Sequence, residues 1–216
     1  MESLVVSSNV EKYEDVYRSG YDKLYPTLDL VRLEAWYLKK QPGRVLDFAC
    51  GTGVNMMHML RSGYSVAGVD AAQESIRLVQ KKLDANPSFA NKAVLKHLST
   101  DDTKLPFEDN EFDYVVCMSV LSLLESKERI AILVSEFLRV LKPGGRMIVD
   151  INGPESEFSK NGRFLNEDTF EYTLRKNHSE PLICYCPKSK EAFAKLFDKF
   201  IVDQLGHTSF SYCGHD

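Results

Sequence analysis

The sequence predicts an α/β fold in which helices cover both faces of a parallel sheet. Strand-like and helix-like segments alternate five times between residues 44 and 152. This alternation is typical of parallel strands joined by helical crossovers, and right-handed crossovers make the arrangement doubly wound. A small-residue turn with two glycines follows the first strand directly. Ligands of such sheets lie beyond the carboxyl ends of the strands, so we expect the functional site there.

Length and composition indicate one globular domain spanning residues 1–216. Of the 216 residues, 44% are hydrophobic and 27% are charged, which is ordinary for a soluble α/β domain. The formal net charge is −4 with acids and bases intermixed, so the chain lacks the basic stripe that binds a phosphate backbone. No apolar run approaches the ~18 residues of a membrane span, and the first residues do not resemble a secretory signal. We therefore expect a cytoplasmic monomer or homodimer without a nucleic-acid or membrane partner.

The five cysteines, odd in number and scattered, do not form the pattern of a disulfide framework. Cys184 and Cys186, together with the Cys-Gly-His run at 213–215, could supply four soft metal ligands. Zinc ligand pairs, however, are usually separated by two or more residues, and this C-x-C pair lies in a strand-like run. We interpret these cysteines as small apolar side chains and expect no metal site.

In chain order, the first element is a helical appendage over residues 1–40. Val10, Tyr13 and Tyr17 recur at helical spacing, and a looser repeat follows at residues 30–38. A glycine and a proline lie between the two repeats and separate them into two helices. Because this tyrosine-rich segment precedes the first strand, we expect it to form a lid on the sheet.

The core, residues 41–152, supplies the five strands and their helices. RVLDF is the first predicted strand, and the helix VNMMHMLRSG, the strand SVAGVD and the helix QESIRLVQKKL follow it. AVLKHL and DYVVCM are the third and fourth strands. The run at 127–140 is a helix with an inward apolar stripe and a serine cap. A proline and two glycines end that helix before the fifth strand, RMIVDIN.

Residues 153–216 follow a looser pattern, which we interpret as a substrate-side insert and C-terminal strands. GPESEFSKNGRF has loop composition, and TFEYTLRK and PLICYCP have strand composition. SKEAFAKLFDKF is an amphipathic helix, and FIVDQL is a further predicted strand. The closing SFSYCGHD is either a shortened last strand or the end of a truncated chain, and the sequence leaves both alternatives open.

Acidic and small residues collect at the ends of the first two strands. Gly51 and Gly53 expose the backbone at a helix N-terminus, which suits a polar or anionic ligand group. Asp70 ends the second strand, where it can accept hydrogen bonds from ribose hydroxyls or cap the next helix. Met56 occupies the third glycine position of the dinucleotide fingerprint, and Asp47 is an acid inside a buried strand that needs a donor. A cofactor with an amino group supplies that donor, which favours S-adenosylmethionine over NAD.

Four motifs resemble those of class I S-adenosylmethionine-dependent methyltransferases. VLDFACGTG is similar to the first motif of the family, with Ala49 in place of its first glycine, and VAGVD is similar to the acidic second-strand motif. STDDTKLPFEDNEFDYVVCMSVLSLL and LKPGGRMIVDING are similar to the stretches around the fourth and fifth strands. The resemblance covers residues 44–152 and implies a Rossmann-like, mostly parallel sheet, seven-stranded or shortened, with helices on both faces.

Position by position, the resemblance implies a set of cofactor-binding residues. Asp47 and the backbone of the turn would hold the methionine end, Asp70 would hold the ribose, and Asp101 would accept a hydrogen bond from the adenine amino group. The Asp102 N–H would contact the adenine ring, and the backbone of Cys117 would face the amino group of the cofactor. The remaining members of the set are Ala49, Cys50, Gly51 and Gly53 in the turn and Ala71 after the second strand.

The implied activity is transfer of a methyl group from S-adenosylmethionine to a nitrogen or oxygen of a small-molecule acceptor. Tyr17, Arg18 and Tyr21 are candidate acceptor-binding residues in the lid, and Met118 and Ser119 follow the fourth strand on the acceptor side. No residue is assigned as a general base. A protein methyltransferase and a non-catalytic cofactor-binding module are the alternatives. The fourth strand does not end in an N-P-P-Y-like motif, which argues against methylation of a flipped base.

Overall fold

A parallel five-stranded sheet forms the centre of the protein. The computed structural model describes residues 3–38, 41–173 and 181–208. The strands are β1 (Arg44–Phe48), β2 (Ser65–Asp70), β3 (Ala93–His97), β4 (Phe112–Cys117) and β5 (Leu141–Val149), in the spatial order β3-β2-β1-β4-β5. All neighbouring pairs are parallel. The predicted doubly wound fold is confirmed in its shortened form, and a crevice is expected where the strand order reverses, between β1 and β4.

Helices pack on both faces of this sheet. They are α1 (Ser7–Arg18), α2 (Leu28–Leu33), α3 (Val54–Arg61), α4 (Gln73–Asp84) and α5 (Lys127–Val140). A π-helical turn, Glu34–Leu38, continues α2, and short 3₁₀ turns form at Pro87–Phe89 and Leu121–Leu124. α5 begins where the sequence predicts, because the Ser126 hydroxyl accepts a hydrogen bond from the Arg129 N–H (3.3 Å). Within the described ranges, no helix has the length and apolar character that crossing a membrane requires.

Two apolar clusters lie on opposite faces of the sheet. Leu46 and Phe48 belong to one cluster and Val45 to the other, because successive residues of a strand face opposite sides. In the first cluster, the Phe48 and Phe137 rings meet edge-on with their centroids 5.4 Å apart, which packs α5 against β1. The second contains the α3 methionines and the fully buried Tyr64. Each fully buried large apolar side chain contributes about 1.5–3 kcal/mol, so both clusters hold the strand ends in place.

A second, antiparallel sheet follows the core. The elements are α6 (Glu157–Asn161), β6 (Arg163–Asn166), β7 (Thr169–Tyr172), β8 (Leu182–Tyr185) and α7 (Lys190–Lys195). The strand order is β6-β7-β8, and both pairs are antiparallel. The segments TFEYTLRK and PLICYCP, predicted as strands, supply β7 and β8, which pair with each other. The predicted loop before them contains the short helix α6.

The strand predicted at FIVDQL is wrong. Residues 201–208 have no regular secondary structure, and Ile201 is 92% exposed. Strand composition produces a strand only where a partner strand lies alongside, and none of the described strands pairs with this segment. The shortened last strand considered at SFSYC lies outside the described residues.

Candidate functional site

The turn between β1 and α3 needs glycine for two reasons. Ala49, Gly51 and Gly53 all have positive φ angles, of 54°, 52° and 79°. A Cβ atom on Gly53 would lie 2.8 Å from Val79 Cγ2, and one on Gly51 would lie 3.1 Å from the Tyr17 hydroxyl oxygen. The backbone therefore passes close to α4 on one side and to α1 on the other, and Gly53 ends the turn as the N-cap of α3.

Asp70 fastens this turn to the end of β2. Its Oδ2 accepts a hydrogen bond from the Gly51 N–H (2.7 Å), and its Oδ1 accepts one from the Ala72 N–H (2.9 Å). The Ser75 hydroxyl donates to the Gly51 carbonyl (2.6 Å) and completes the connection. A carboxylate has about four acceptor positions, so Asp70 keeps capacity for ligand hydroxyls. Burial raises the pKa of Asp70, and the surrounding N–H groups act in the opposite direction.

Asp47 is a buried carboxyl group that lacks a full set of partners. It lies in β1 between Gly68 of β2 and Val116 of β4, and only 2% of it is exposed. Its Oδ2 has no hydrogen-bond partner among the described residues. Burial, followed by the nearby charge of Asp70, raises the pKa of Asp47 to about 7. An added donor or cation at this position would restore the ionised form.

A cavity lies between the strand ends and α1. Its volume is about 670 Å³ when the space at its open mouth is counted. One wall comes from the ends of β1 to β4 and the 3₁₀ turn after β4, and α1 with the residues before it forms the other. The strand-side residues are Phe48, Ala49, Val69, Asp70, Ala71, Ala72, Leu98, Ser119, Val120, Leu123 and Leu124, and the α1-side residues are Val5, Val6, Asn9, Val10, Tyr13 and Tyr17.

Polar contacts hold α1 over this cavity at both of its ends. Before the helix, the Leu4 N–H donates to the Asp102 carbonyl (2.9 Å) in the loop after β3. Within the helix, the Glu14 carboxylate accepts a hydrogen bond from the Glu74 N–H (2.9 Å) in the first turn of α4. After the helix, Lys82 of α4 donates to the Thr52 carbonyl (2.7 Å) and pairs with Asp22 (2.5 Å). The predicted lid segment is thus tied to the glycine turn and to α4.

Five of the residues predicted for the site lie together in the cavity wall: Ala49, Asp70, Ala71, Tyr17 and Ser119. Cys50, Gly51 and Gly53 form the adjoining turn. Tyr17 is 9% exposed, and burial, followed by the Asp70 charge, raises its pKa, so its hydroxyl stays protonated. Cys117 and Met118 are buried at the end of β4, where the Cys117 carbonyl accepts a hydrogen bond from the Asp150 N–H (3.3 Å).

Four other predicted residues are placed elsewhere. Asp101 is exposed, and the Asp102 N–H already donates to the Ser99 carbonyl (3.1 Å) within their own loop. Arg18 is 63% exposed at its side chain and pairs with Glu14 (2.9 Å), and Tyr21 is 51% exposed. These side chains are outside the cavity wall, so their assignment to cofactor or acceptor stays a prediction.

The structure adds two polar residues that the sequence interpretation passed over. Asp150, at the end of β5, accepts a hydrogen bond from the Ser119 N–H (2.5 Å) and supports that residue at a positive φ of 63°. Its position at a strand end matches that of Asp70, a signal the sequence already contained. Asn9 lies in the cavity wall one helical turn before Tyr13 and interrupts an otherwise apolar face of α1.

The cysteines are placed as small buried side chains. Cys184 and Cys186 are buried at β8 and its end, and Cys213 lies outside the described residues. Across residues 3–38, 41–173 and 181–208, no group of three or more His, Cys, Asp or Glu side chains is positioned to hold a metal ion.

Comparison with known proteins points to one family. Residues 46–149 match the family model described as "Methyltransferase domain". The demethylmenaquinone methyltransferase of Symbiobacterium thermophilum is 30% identical over 173 residues, covering 74% of this chain and 66% of that protein. The cypemycin N-terminal methyltransferase of a Streptomyces species is 33% identical over 162 residues, covering 72% and 62%. The chain spans between about half and two thirds of the length of the first curated relatives it matches.

A solved structure shares the fold. The crystal structure of a SAM-dependent methyltransferase from Methanosarcina mazei superposes with a TM-score of 0.65 and covers 82% of this chain and 84% of its own. At 23% identity, this likeness shows a common architecture.

Proposed function

The chain belongs to the class I S-adenosylmethionine-dependent methyltransferases, whose cofactor is S-adenosylmethionine, and on that premise we propose that it methylates a nitrogen or oxygen atom of a small-molecule acceptor. The observation that supports binding of this cofactor most directly is the buried Oδ2 of Asp47 beside the glycine turn, which has no hydrogen-bond partner in the part of the chain that the structure describes. A buried carboxyl oxygen without a partner destabilises the protein unless a ligand donor reaches it.

The residues present fit this cofactor. Asp47 would accept hydrogen bonds from its ammonium group, and the amino-acid end would lie beside the turn that contains Gly51 and Gly53. Asp70 would accept from the ribose hydroxyls with the oxygen capacity that the Gly51 and Ala72 N–H groups leave free. The apolar walls at Ala71 and Leu98 suit a flat base.

When bound, the cofactor supplies an electrophilic methyl group on a positively charged sulfur. The protein's own part is then to orient the two reactants and to exclude water. α1 covers the strand ends through the contacts of Leu4, Glu14 and Lys82, which limits access of water to the cavity. Burial raises the pKa of Tyr13 to about 12, so at neutral pH its hydroxyl donates hydrogen bonds and does not act as a base.

A small acceptor is favoured because the cavity is mostly apolar and lies beneath a helix. A relative named for demethylmenaquinone supports the same view, since by its name it acts on a small molecule. The alternative is a peptide acceptor, which is supported by the relative named for the N-terminus of cypemycin.

Calorimetric titration with S-adenosylmethionine and, separately, with NAD tests the cofactor. We expect saturable binding of the first and none of the second. The chain would then be incubated with methyl-labelled cofactor and a panel of small amines, phenols and short peptides, while formation of S-adenosylhomocysteine is followed. Turnover with peptides alone would establish the peptide alternative. Binding without turnover on any acceptor would identify a non-catalytic module.

A further inference from the structure

Asn9 is a buried amide with one half of its hydrogen-bonding capacity unused. It is 4% exposed, and its Nδ2 donates to the Leu123 carbonyl (2.8 Å) and, more weakly, to the Ile183 carbonyl (3.5 Å). Its Oδ1 has no partner among the described residues. The two carbonyls fix the amide orientation, because the opposite orientation would place oxygen against oxygen. Native proteins rarely leave such an acceptor unsatisfied, so the missing donor is expected from a ligand.

The sheet order indicates which part of the cofactor lies near Asn9, an argument that rests on the proposed function. The strands run β3-β2-β1, with Asp47 in β1, Asp70 at the end of β2 and Leu98 directly after β3. A ligand with its amino-acid end at Asp47 and its ribose at Asp70 therefore extends its base towards Leu98. The segment just before Asn9 lies at this end of the cavity, because the Leu4 N–H donates to the Asp102 carbonyl in the loop after β3. Val5, Val6 and Asn9 then line the same cavity as Leu98, while the Asn9 amide reaches across to the Leu123 carbonyl.

From this placement we propose that Asn9 Oδ1 accepts a hydrogen bond from the 6-amino group of the cofactor's adenine. The surrounding walls at Val5, Val6 and Leu98 are apolar, so one acceptor among them selects a base that offers a donor. A 6-oxo base would place its carbonyl oxygen against Asn9 Oδ1 and be rejected. Asp101, to which the family resemblance gives this role, is exposed to water, which competes for any hydrogen bond it makes.

Ligand analogues test this without any change to the protein. The full 216-residue chain is titrated in a calorimeter with S-adenosylhomocysteine, with its 6-deamino purine analogue and with S-inosylhomocysteine, which has a 6-oxo group. We expect binding weaker by roughly tenfold to a hundredfold for the deamino analogue, and weaker still for the 6-oxo ligand. Equal binding of S-adenosylhomocysteine and the deamino analogue would overturn the proposal. Failure to bind any of the three would overturn the proposed cofactor together with it.

Two variants then identify the residue responsible. Asn9→Leu should bind S-adenosylhomocysteine and the deamino analogue alike, whereas the matched control Asp101→Ala should keep the full preference for the 6-amino group. The reverse result, with the preference lost in Asp101→Ala and kept in Asn9→Leu, would return the role to Asp101. Asn9→Leu also removes the two hydrogen bonds from Nδ2, so its thermal unfolding is measured without ligand. If Asn9→Leu does not fold, the Asp101→Ala variant still tests the proposal, because loss of the preference for the 6-amino group in that variant would contradict it.

Discussion

At the scale of single residues, Asp47 is the proposed contact between β1 and the cofactor. Asp47→Asn keeps the side-chain shape and removes the negative charge. We expect S-adenosylhomocysteine to bind roughly 10- to 100-fold more weakly, because a charge-assisted hydrogen bond is worth about 1.5–3 kcal/mol. The unliganded variant should unfold at the same temperature or higher, since the substitution removes a buried carboxyl group whose Oδ2 has no partner among the described residues. Unchanged affinity in calorimetry would contradict the assignment.

The raised pKa of Asp47 makes ligand affinity depend on pH. Because a ligand ammonium group favours the ionised carboxylate, affinity should rise as pH increases towards the pKa of about 7 and level off above it. The unliganded chain should become less stable as pH rises towards about 7. In this range the native state keeps the Asp47 proton, whereas the unfolded chain releases it at about pH 4, so raising the pH favours unfolding. Titrations and urea unfolding between about pH 5 and pH 8 check both trends, and Asp47→Asn should reduce each of them.

Gly53 and Gly63 form a matched pair for testing the glycine turn. Both have positive φ, so alanine at either position is strained by about 1 kcal/mol. A Cβ at Gly53 would also lie 2.8 Å from Val79 Cγ2, whereas one at Gly63 would meet nothing within 4 Å. We therefore expect Gly53→Ala to lower the free energy of unfolding by about 1–3 kcal/mol more than Gly63→Ala. Equal losses in urea unfolding would show that the contact with α4 is unimportant.

At the scale of elements, the position of α1 decides how the cavity is closed. Glu14 connects α1 to the first turn of α4 through the Glu74 N–H and to Arg18 by an ion pair. Glu14→Ala should destabilise the protein by about 0.5–2 kcal/mol, as loss of a helix-capping carboxylate does, and should speed release of S-adenosylhomocysteine. Glu11→Ala, an exposed position on the same helix, is the control. Stopped-flow release rates that are equal in the two variants would argue against α1 as a lid.

At the scale of the whole molecule, the sheet was predictable and its surroundings were not. The strands β1 to β5 and the helices between them were predictable, because the spacing of apolar residues within each segment shows whether it is a strand or a helix and which face it buries. FIVDQL also has strand composition, yet it is irregular. A strand needs a neighbouring strand to pair with, and the composition of a segment does not show whether one is present. The second sheet, β6-β7-β8, shows the opposite outcome, because its predicted strands β7 and β8 pair with each other.

The sequence by itself determined the fold class and the residues of the glycine turn, Asp47 and Asp70. These signals are local: a tight turn with positive φ favours glycine, and an acid within or at the end of a strand is visible in the strand itself. Only the tertiary structure decided that α1 closes the cavity, that Asn9 lies in its wall and that Asp101 is exposed. Those positions depend on contacts between segments far apart in the chain, such as Leu4 with Asp102 and Asn9 with Leu123, and no local pattern encodes such contacts.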